Sequence, residues 1–351
     1  SMGWSSFRAG LGLATCVVLA IATGAGDLRA DDRVNLAATA NSGDIGIFYA
    51  IDKGFLAEEN IEANLISFDT GAKMVPALAT GELDIGTIPG SAGVYNAAAR
   101  AINNRIVADR SRSAPDDMYQ TLMIRKDLID SGRFKSYPDL RGLKIAVAAP
   151  GISILSIVNE AARKAGIPYD DIEKVFIPLP QQVTAFRNRA VDGSIMIEPF
   201  ATLIAANGDG VRFASTYDFN PDGQFTYMVY SEKFSRERPD VARRFMKAYI
   251  RALRAFNDAT EKGRWRDTPH ANDVLALLAK RLEIPAERIR ATFPHAVDPD
   301  GRPNIDGMKR ELQFFKDQKM VQSPTIRVED VVDLQFVEAA VRELGPYVRK
   351  P

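Results

Sequence analysis

The sequence has little of the chemistry on which metal and redox proteins depend. Its 351 residues include one cysteine and two histidines. The single cysteine, Cys16, excludes an intrachain disulfide, a CxxC redox motif and a cysteine-rich zinc site. Two histidines, His270 and His295, are too few for a multi-histidine metal centre. We therefore expect neither a metal nor a cofactor.

A net charge is also absent. The 45 basic residues balance 45 acidic residues, so no overall charge draws the chain to nucleic acid or to anionic lipid. Apolar residues make up 46% of the chain and charged residues 26%, as in soluble globular proteins. The length favours two domains of ordinary size over a single core.

Residues 1–30 have the pattern of a secretory signal peptide. Arg8 precedes an apolar run from Ala9 to Ala22, and Ala30 stands before an acidic pair. The run of 14 residues is shorter than the length of about 20 that spans a bilayer. A buried helix of the fold is the alternative interpretation. We predict export, with cleavage near residue 30.

Short apolar strands alternate with helices in two successive blocks. Ile61–Phe68 is a strand of the first block, and the pattern restarts at Tyr119–Arg125. Such alternation predicts an α/β fold with two parallel-rich sheets flanked by helices. After Phe225–Tyr230 the apolar spacing is helical throughout, and it includes a predicted helix over Val328–Leu344.

The two blocks are not separated by a low-complexity linker. We predict that residues 31–118 and 226–351 form one lobe and that residues 119–225 form the other, with hinge strands near 119–125 and 225–230. Two extended crossings between lobes make a hinged cleft, and such a cleft suits capture of a ligand by domain closure.

Small polar residues stand where predicted strands give way to helices. Ligands of open α/β sheets bind at the carboxyl ends of strands, where exposed helix N-termini favour anions. Every such corner also needs small capping residues for structural reasons alone, so that alternative stays open. The candidate corner residues are Asn41, Ser42, Thr70, Gly71, Ser91, Gly151 and Ser153.

Three charged residues are further candidates for ligand binding. Arg110 and Arg112 follow the fourth strand, and arginine suits bidentate recognition of carboxylate, sulfonate or phosphate. Asp109 could instead neutralise Arg110. Glu198, beside Pro199 at a strand end, could accept hydrogen bonds from a ligand, tie the lobes together or be a surface carboxylate.

The sequence contains little that indicates catalysis or a charged docking surface. The chain has no GxSxG elbow, P-loop or GxGxxG fingerprint, so we do not expect an enzyme. A row of basic residues at helical spacing is interpreted as a solvated face, with a partner-docking surface as the alternative. That row consists of Arg243, Lys247, Arg251 and Arg254.

Several segments together resemble the periplasmic binding proteins for nitrate, sulfonates and taurine, a family that also includes binders of thiamine-related pyrimidines. The resemblance covers about residues 33–260. The segments that carry it are Phe48–Leu56 (FYAIDKGFL), Pro76–Gly86 (PALATGELDIG), Asp139–Val147 (DLRGLKIAV) and Ala190–Phe200 (AVDGSIMIEPF).

This resemblance implies a two-lobed, type II-like periplasmic-binding-protein fold in the periplasm. It implies capture of a small ligand in the cleft and delivery to an ABC permease and its ATPase. We expect the ligand to be a small organic anion, a sulfonate or carboxylate, and the protein to be a monomer. The family's binding corners fall on the corner residues given above and on Glu198. The corner residues proposed from the strand–helix pattern and those implied by the resemblance rest on the same feature, so the two inferences are not independent.

Two alternatives remain at the level of sequence. One is a binder of, or an enzyme acting on, a thiamine-related pyrimidine, although the related enzyme has a cysteine-rich motif that this chain lacks beyond residue 30. The other is a sensor that docks to a membrane receptor. The identity of the ligand stays open, and an organic anion ranks first because of the helix N-termini and the two arginines.

Overall fold

The structure is a computed structural model that describes residues 32–351. The predicted signal peptide lies outside the described residues. From residue 32 onward, no helix combines the length and the apolar character needed to cross a membrane.

The first part of the described chain alternates strands and helices, as the apolar pattern predicts. Its strands are β1 (Asp32–Thr39), β2 (Ile61–Phe68), β3 (Ile85–Pro89) and β4 (Arg105–Arg112). Its helices are α1 (Ile45–Asp52), α2 (Phe55–Glu58), α3 (Val75–Thr80) and α4 (Ala92–Ala99). Short 3-10 helices, Ser42–Asp44 and Gly71–Met74, precede α1 and α3. The first four residues of β3 are buried, as expected for a strand covered on both faces.

A second alternating block follows. Its strands are β5 (Gln120–Arg125), β6 (Lys144–Val147), β7 (Glu173–Phe176), β8 (Gly193–Ile197) and β9 (Gly210–Ser215). Its helices are α5 (Lys126–Asp130), α6 (Ser153–Ala165), α7 (Leu179–Arg187), α8 (Phe200–Ala206) and α9 (Thr216–Phe219). Gly166, with a φ of 71°, ends α6 in the left-handed conformation that glycine adopts readily.

The last part of the chain is mainly helical. One long strand, β10 (Gln224–Tyr230), opens it, and a short hairpin is formed by β11 (Thr260–Glu261) and β12 (Arg264–Trp265). The helices are α10 (Glu232–Glu237), α11 (Pro239–Asp258), α12 (Pro269–Leu282), α13 (Ala286–Arg290), α14 (Ile305–Asp317) and α15 (Gln335–Leu344).

Two five-stranded sheets organise the molecule. Lobe I is built on the sheet β2-β1-β3-β10-β4, and lobe II on the sheet β7-β6-β8-β5-β9. β10 is antiparallel to β3 and β4, and β5 is antiparallel to β8 and β9. The remaining neighbours pair in parallel. Each sheet is therefore mixed, with one reversed strand, and the predicted α/β class is confirmed.

Two segments cross between the lobes. Residues 113–119 join β4 to β5, and residues 220–223 join α9 to β10. The backbone N–H of Ser113 donates to the carbonyl oxygen of Gly223 at 2.8 Å, so the crossings are hydrogen-bonded to each other. The strands predicted at the hinge, β5 and β10, are those that the chain enters after each crossing. The residue limits predicted for the two lobes stay a prediction.

The basic row on α11 is tied to acidic residues of lobe I. Most of this row therefore serves contacts within the lobe, which differs from the predicted solvated or docking face. The ion pairs join Arg243 to Asp240, Lys247 to Glu59 and Glu343, Arg251 to Glu58, and Arg254 to Asp300.

The helix predicted over Val328–Leu344 is wrong in its first half. Val328–Asp330 is one 3-10 turn, and α15 begins only at Gln335. Between them the chain runs along the edge of β4, because the N–H of Ile106 donates to the Val331 carbonyl at 2.8 Å and the N–H of Asp333 donates to the Ile106 carbonyl at 2.9 Å. Pairing with a sheet edge overrides the helical spacing of the segment.

Candidate functional site

The predicted corners of lobe I lie at the carboxyl ends of β1, β2 and β3. Asn41 caps the turn into α1, since its side-chain oxygen accepts the N–H of Gly43 at 2.7 Å. Thr70 is exposed at the end of β2. A Cβ on Gly71 would lie 2.5 Å from the carbonyl oxygen of Thr87, so this corner needs glycine to approach β3.

Arg110 lies over the first of these corners. Its Nε donates to Oδ1 of Asp44 at 2.6 Å, and its Nη1 donates to Oγ1 of Thr226 at 3.2 Å. The guanidinium packs against Gly43, where a Cβ would lie 2.8 Å from it. Burial acts to lower the pKa of Arg110, but Asp44 outweighs burial and the pKa is raised. Arg110 therefore stays charged, and Asp44 is the partner that the sequence did not identify.

Glu198 is buried at the end of β8 and is fully engaged by the protein. Its carboxylate accepts Thr202 Oγ1 at 2.7 Å and Arg212 Nη2 at 3.0 Å. It also accepts the N–H of Phe293 at 3.2 Å, which connects lobe II to the segment after α13. Of the roles considered for Glu198, the structure supports the tie between lobes, and a direct ligand contact stays a prediction.

Arg212 of β9 is a charged residue that sequence reasoning missed. Besides Glu198, its Nη2 contacts Oγ1 of Thr202 at 2.8 Å, and its guanidinium lies 5.1 Å from the ring centre of Phe293. Its Nε is buried and has no hydrogen-bond partner within residues 32–351. The one sequence signal was a charged residue inside an otherwise apolar strand.

Tyr119, on the first crossing, is close to charged groups of both lobes. Burial raises the pKa of Tyr119. Arg110 and the side chain of Asn41 oppose that shift from lobe I, while Glu198 adds to it from lobe II. These groups are therefore close to one another, and we call them, with three further residues, the arginine cluster. It consists of Asn41, Arg110, Tyr119, Glu198, Arg212, Phe293 and His295.

His295 completes the arginine cluster, and no sequence motif predicts a role for it. Its ring stacks on Phe256 with centres 4.6 Å apart and meets the edge of Tyr119 at 5.9 Å. Desolvation, with help from the charge of Arg110, lowers the pKa of His295 to about 3. The ring is therefore neutral at physiological pH. Neither ring nitrogen has a hydrogen-bond partner in the described part of the chain.

The corners at Ser91, Gly151 and Ser153 meet one another directly. The N–H of Ala92 donates to the Gly151 carbonyl at 3.0 Å, and the N–H of Ser153 donates to the Gly90 carbonyl at 3.1 Å. Lobe I and lobe II therefore touch here. The hydroxyl of Ser153 donates to Glu311 at 3.0 Å, and its contact with a ligand stays a prediction.

Arg112 lies apart from Arg110, although the sequence groups them. Its Nη1 donates to the Arg302 carbonyl at 3.2 Å. Its side chain lines a cavity of about 490 Å³ beside the two crossings, together with Asp117, Tyr217 and Lys262. His295 of the arginine cluster also lines this cavity, which contains none of the predicted corner residues.

The arginine cluster presents two guanidinium groups from opposite lobes. Each is matched by one carboxylate, Asp44 for Arg110 and Glu198 for Arg212, and each keeps N–H groups beyond those used by its carboxylate. Arginine recognises carboxylate, sulfonate or phosphate through charge-assisted hydrogen bonds, which are often bidentate. Across residues 32–351, no group of three or more metal-binding side chains is arranged to hold an ion.

Comparison with known sequences finds one matching family and several similar proteins. The NMT1-like family matches residues 29–265. A Brucella abortus protein named as a binding protein is 29% identical over 60% of this chain, and the match spans 62% of the length of that relative. The taurine-binding periplasmic protein of Escherichia coli is 27% identical over 58% of this chain and 61% of its own length.

Solved structures share the fold at low sequence identity. The periplasmic aliphatic sulphonate binding protein SsuA of Escherichia coli superposes with a TM-score of 0.67 at 17% identity, over 86% of this chain and 97% of its own. The desulfurization enzyme DSZB superposes with a TM-score of 0.59 at 16% identity, over 90% of this chain and 100% of its own. The predicted periplasmic-binding-protein architecture is confirmed, and the same fold serves binding proteins and an enzyme.

Proposed function

The chain belongs to the NMT1-like family, and from that premise we propose that it is the substrate-binding component of an ABC-type importer. It captures a small organic anion, a sulfonate or carboxylate, between its lobes in the periplasm. It then delivers the anion, as a monomer, to a permease and its ATPase. The ligand stabilises the closed arrangement of the lobes, which is the state that a permease distinguishes.

The observation that carries this proposal is that one cluster contains an arginine from each lobe. Arg110 belongs to lobe I and Arg212 to lobe II, and Tyr119 is close both to Arg110 and to Glu198, the ion-pair partner of Arg212. An anion that accepts hydrogen bonds from both guanidinium groups links the lobes. Such charge-assisted bonds contribute about 1.5–3 kcal/mol each.

The curated relatives support the same class of ligand. Two Escherichia coli relatives are named as binding proteins, one for aliphatic sulfonates and one for taurine. Aliphatic sulfonates are organic anions, and taurine carries a sulfonate group. Because the matches cover only part of those relatives, the ligand and the transporter partners of this chain are proposals. The open corners Asn41, Ser42, Thr70 and Gly71 are proposed to supply further N–H and hydroxyl donors.

Catalysis on the same fold is the second candidate, because DSZB is an enzyme. The arginine cluster offers no cysteine or lysine as a nucleophile, since Cys16 lies outside residues 32–351. Its histidine is buried and neutral, without a hydrogen bond to a hydroxyl or carboxyl group of the described residues. These features favour binding without turnover.

The test is a thermal-shift panel followed by calorimetry and product analysis. Small sulfonates, carboxylates, inorganic oxyanions and pyrimidines are added to the full chain, and a ligand at 100 times its Kd adds about 2.7 kcal/mol. We expect a sulfonate or carboxylate to raise the Tm and to be recovered unchanged. A response to pyrimidines alone would refute the proposed ligand class, and conversion of the bound molecule would refute a purely binding role.

Two arginine variants make the test specific. Arg212→Gln should weaken the binding of the anion by about tenfold to 150-fold. Arg112→Gln is the matched control, because Arg112 donates to a backbone carbonyl outside the arginine cluster. Equal losses in both variants would remove Arg212 from the site.

A further inference from the structure

Glu311, midway along α14, is a buried carboxyl group at the contact between the lobes. Both ends of α14 are held by lobe I, since the N–H of Asn304 donates to Oε1 of Gln224 at 2.8 Å, and Asn96 Nδ2 donates to the Met320 carbonyl at 3.0 Å. The Glu311 side chain reaches the first turn of α6 in lobe II. Its partners there are Ser153 and Ser156.

The hydrogen atoms in this contact can be counted. Ser153 Oγ lies 3.0 Å from Glu311 Oε1, and Ser156 Oγ lies 2.8 Å from Glu311 Oε2. Ser156 Oγ also lies 2.7 Å from the carbonyl oxygen of Ser153. A serine hydroxyl carries one hydrogen, so it cannot donate to both acceptors fully. All three contacts become complete hydrogen bonds when Glu311 carries a proton and donates it to Ser156.

Among residues 32–351, Glu311 has no positively charged partner. From lobe I, the side chains facing it are those of Tyr95 on α4 and Tyr227 on β10. The hydroxyl of Tyr95 is buried without a partner in the described chain. The neighbouring Arg310 is engaged by Glu160 at 2.6 Å and by Asp222 at 3.6 Å. Ionised Glu311 would therefore be a buried charge held by hydroxyl groups alone, which is unfavourable.

We propose that Glu311 is a pH-sensitive joint between the lobes, which is closed when its carboxyl group is protonated and loosened when the proton leaves. The neutral acid donates to Ser156 and accepts from Ser153, and it thereby joins α14 to α6. Loss of the proton leaves Ser156 with two competing acceptors and places a charge between the lobes. The charged group gains water when α14 and α6 separate, so a rise in pH favours a more open molecule.

The direction of this effect follows from linkage. Burial raises the pKa of Glu311 from 4.5 to about 7. An acid with a raised pKa in the docked state favours docking at low pH, and that contribution is lost as the pH rises from 4.5 through 7. Burial also raises the pKa of Asp109 and of Asp117 to about 7, so the wild-type response includes more than one group.

Spin labels on the two lobes test the joint. In the full chain carrying Cys16→Ser, Lys73→Cys and Gln181→Cys place labels at exposed positions of lobe I and lobe II. Without ligand, the distance between labels is measured at pH 5.5 and at pH 8.5. We expect a longer or broader distance distribution at pH 8.5. Glu311→Gln, which keeps a donor and an acceptor at all pH values, should retain the distribution of pH 5.5 and lose most of the change.

Two further variants keep the test decisive. Glu160→Gln is the matched control, because Glu160 is a buried acid that joins the same two helices through Arg310. It should keep the pH response. Ser156→Ala, which removes one of the two hydroxyl groups that hold the ionised carboxylate, should give a molecule more open at pH 8.5 than the wild type, and it tests the joint even if Glu311→Gln folds poorly. A Glu311→Gln protein that opens with pH as the wild type does would overturn the proposal, as would a wild type without a response.

Discussion

Arg110 has two partners of different kinds in this account, an acid of the protein and an anion of the ligand. Asp44 is almost completely buried and accepts hydrogen bonds from the backbone N–H and hydroxyl of Thr39 as well as from Arg110. This network fixes the guanidinium against Gly43. Removing one member of a buried ion pair costs far more than removing both.

Stability and binding should therefore separate at this pair. Arg110→Gln should lower the free energy of unfolding by about 3–5 kcal/mol, because Asp44 is left without its cation. The double variant Asp44→Asn/Arg110→Gln should recover much of that loss, yet it should still bind the anion about tenfold to 150-fold more weakly. Urea unfolding and calorimetry measure the two effects. Wild-type affinity in the double variant would exclude Arg110 from the site.

His295 gives the second residue-level prediction. Its pKa of about 3 lies below the ordinary value of 6.5, so the unfolded chain binds the proton preferentially between those values. Neutral His295 therefore makes its full contribution to the free energy of unfolding above pH 6.5. That contribution, up to about 4 kcal/mol, is lost as the pH falls to 3.

A His295→Phe variant isolates that contribution. The difference in unfolding free energy between variant and wild type, followed from pH 7 to pH 3.5, should grow in favour of the variant as the pH falls. Taking the difference removes the opposite contributions of Asp109, Asp117 and Glu311. Parallel pH profiles would show that His295 is not a buried neutral ring.

At the scale of elements, the corner at Gly90 controls how closely the lobes meet. A Cβ at Gly90 would lie 2.3 Å from Ser153 Oγ and 2.7 Å from the hydroxyl of Tyr227. Neither atom can retreat freely, because Ser153 is held by Glu311 and Tyr227 is buried in β10. One methyl group at this corner therefore pushes α6 away from lobe I.

We expect Gly90→Ala to destabilise the protein by about 1–3 kcal/mol and to weaken ligand binding through impaired closure. Gly93→Ala, in α4, is the control. Its nearest neighbour is Ser91 Oγ at 3.4 Å, so the helix should gain about 0.5–1 kcal/mol. Thermal melting and calorimetry of both variants test this pair. A Gly90→Ala protein that behaves as its control does would contradict the closeness of this corner.

The sequence predicts elements better than it predicts partners. The strand–helix corners at Asn41, Thr70 and Ser91 lie where the pattern places them, because small capping residues mark such corners whatever the fold does with them. The partner of Ser153 is Glu311, which is 158 residues away, and nothing in the spacing connects them. The partner of Arg212 is equally hard to predict, because only the folded chain brings Arg212 to Glu198.

At the scale of the whole molecule, the two crossings make one chain into two lobes that share a cluster. The arginine cluster takes Arg110 from one sheet and Arg212 from the other, with Tyr119 on the crossing between them. Alternating strands and helices predict both sheets. They do not predict that the segment after α13 returns to lobe II through Phe293.

Closure on binding is the central claim, and the distance between the lobes tests it most directly. The labels at positions 73 and 181 are measured at constant pH with and without the sulfonate or carboxylate that most raises the Tm. A saturating ligand should shorten and narrow the distance distribution in the wild type. In Arg212→Gln, the same change should require a higher ligand concentration. An unchanged distance with the ligand demonstrably bound would contradict the account.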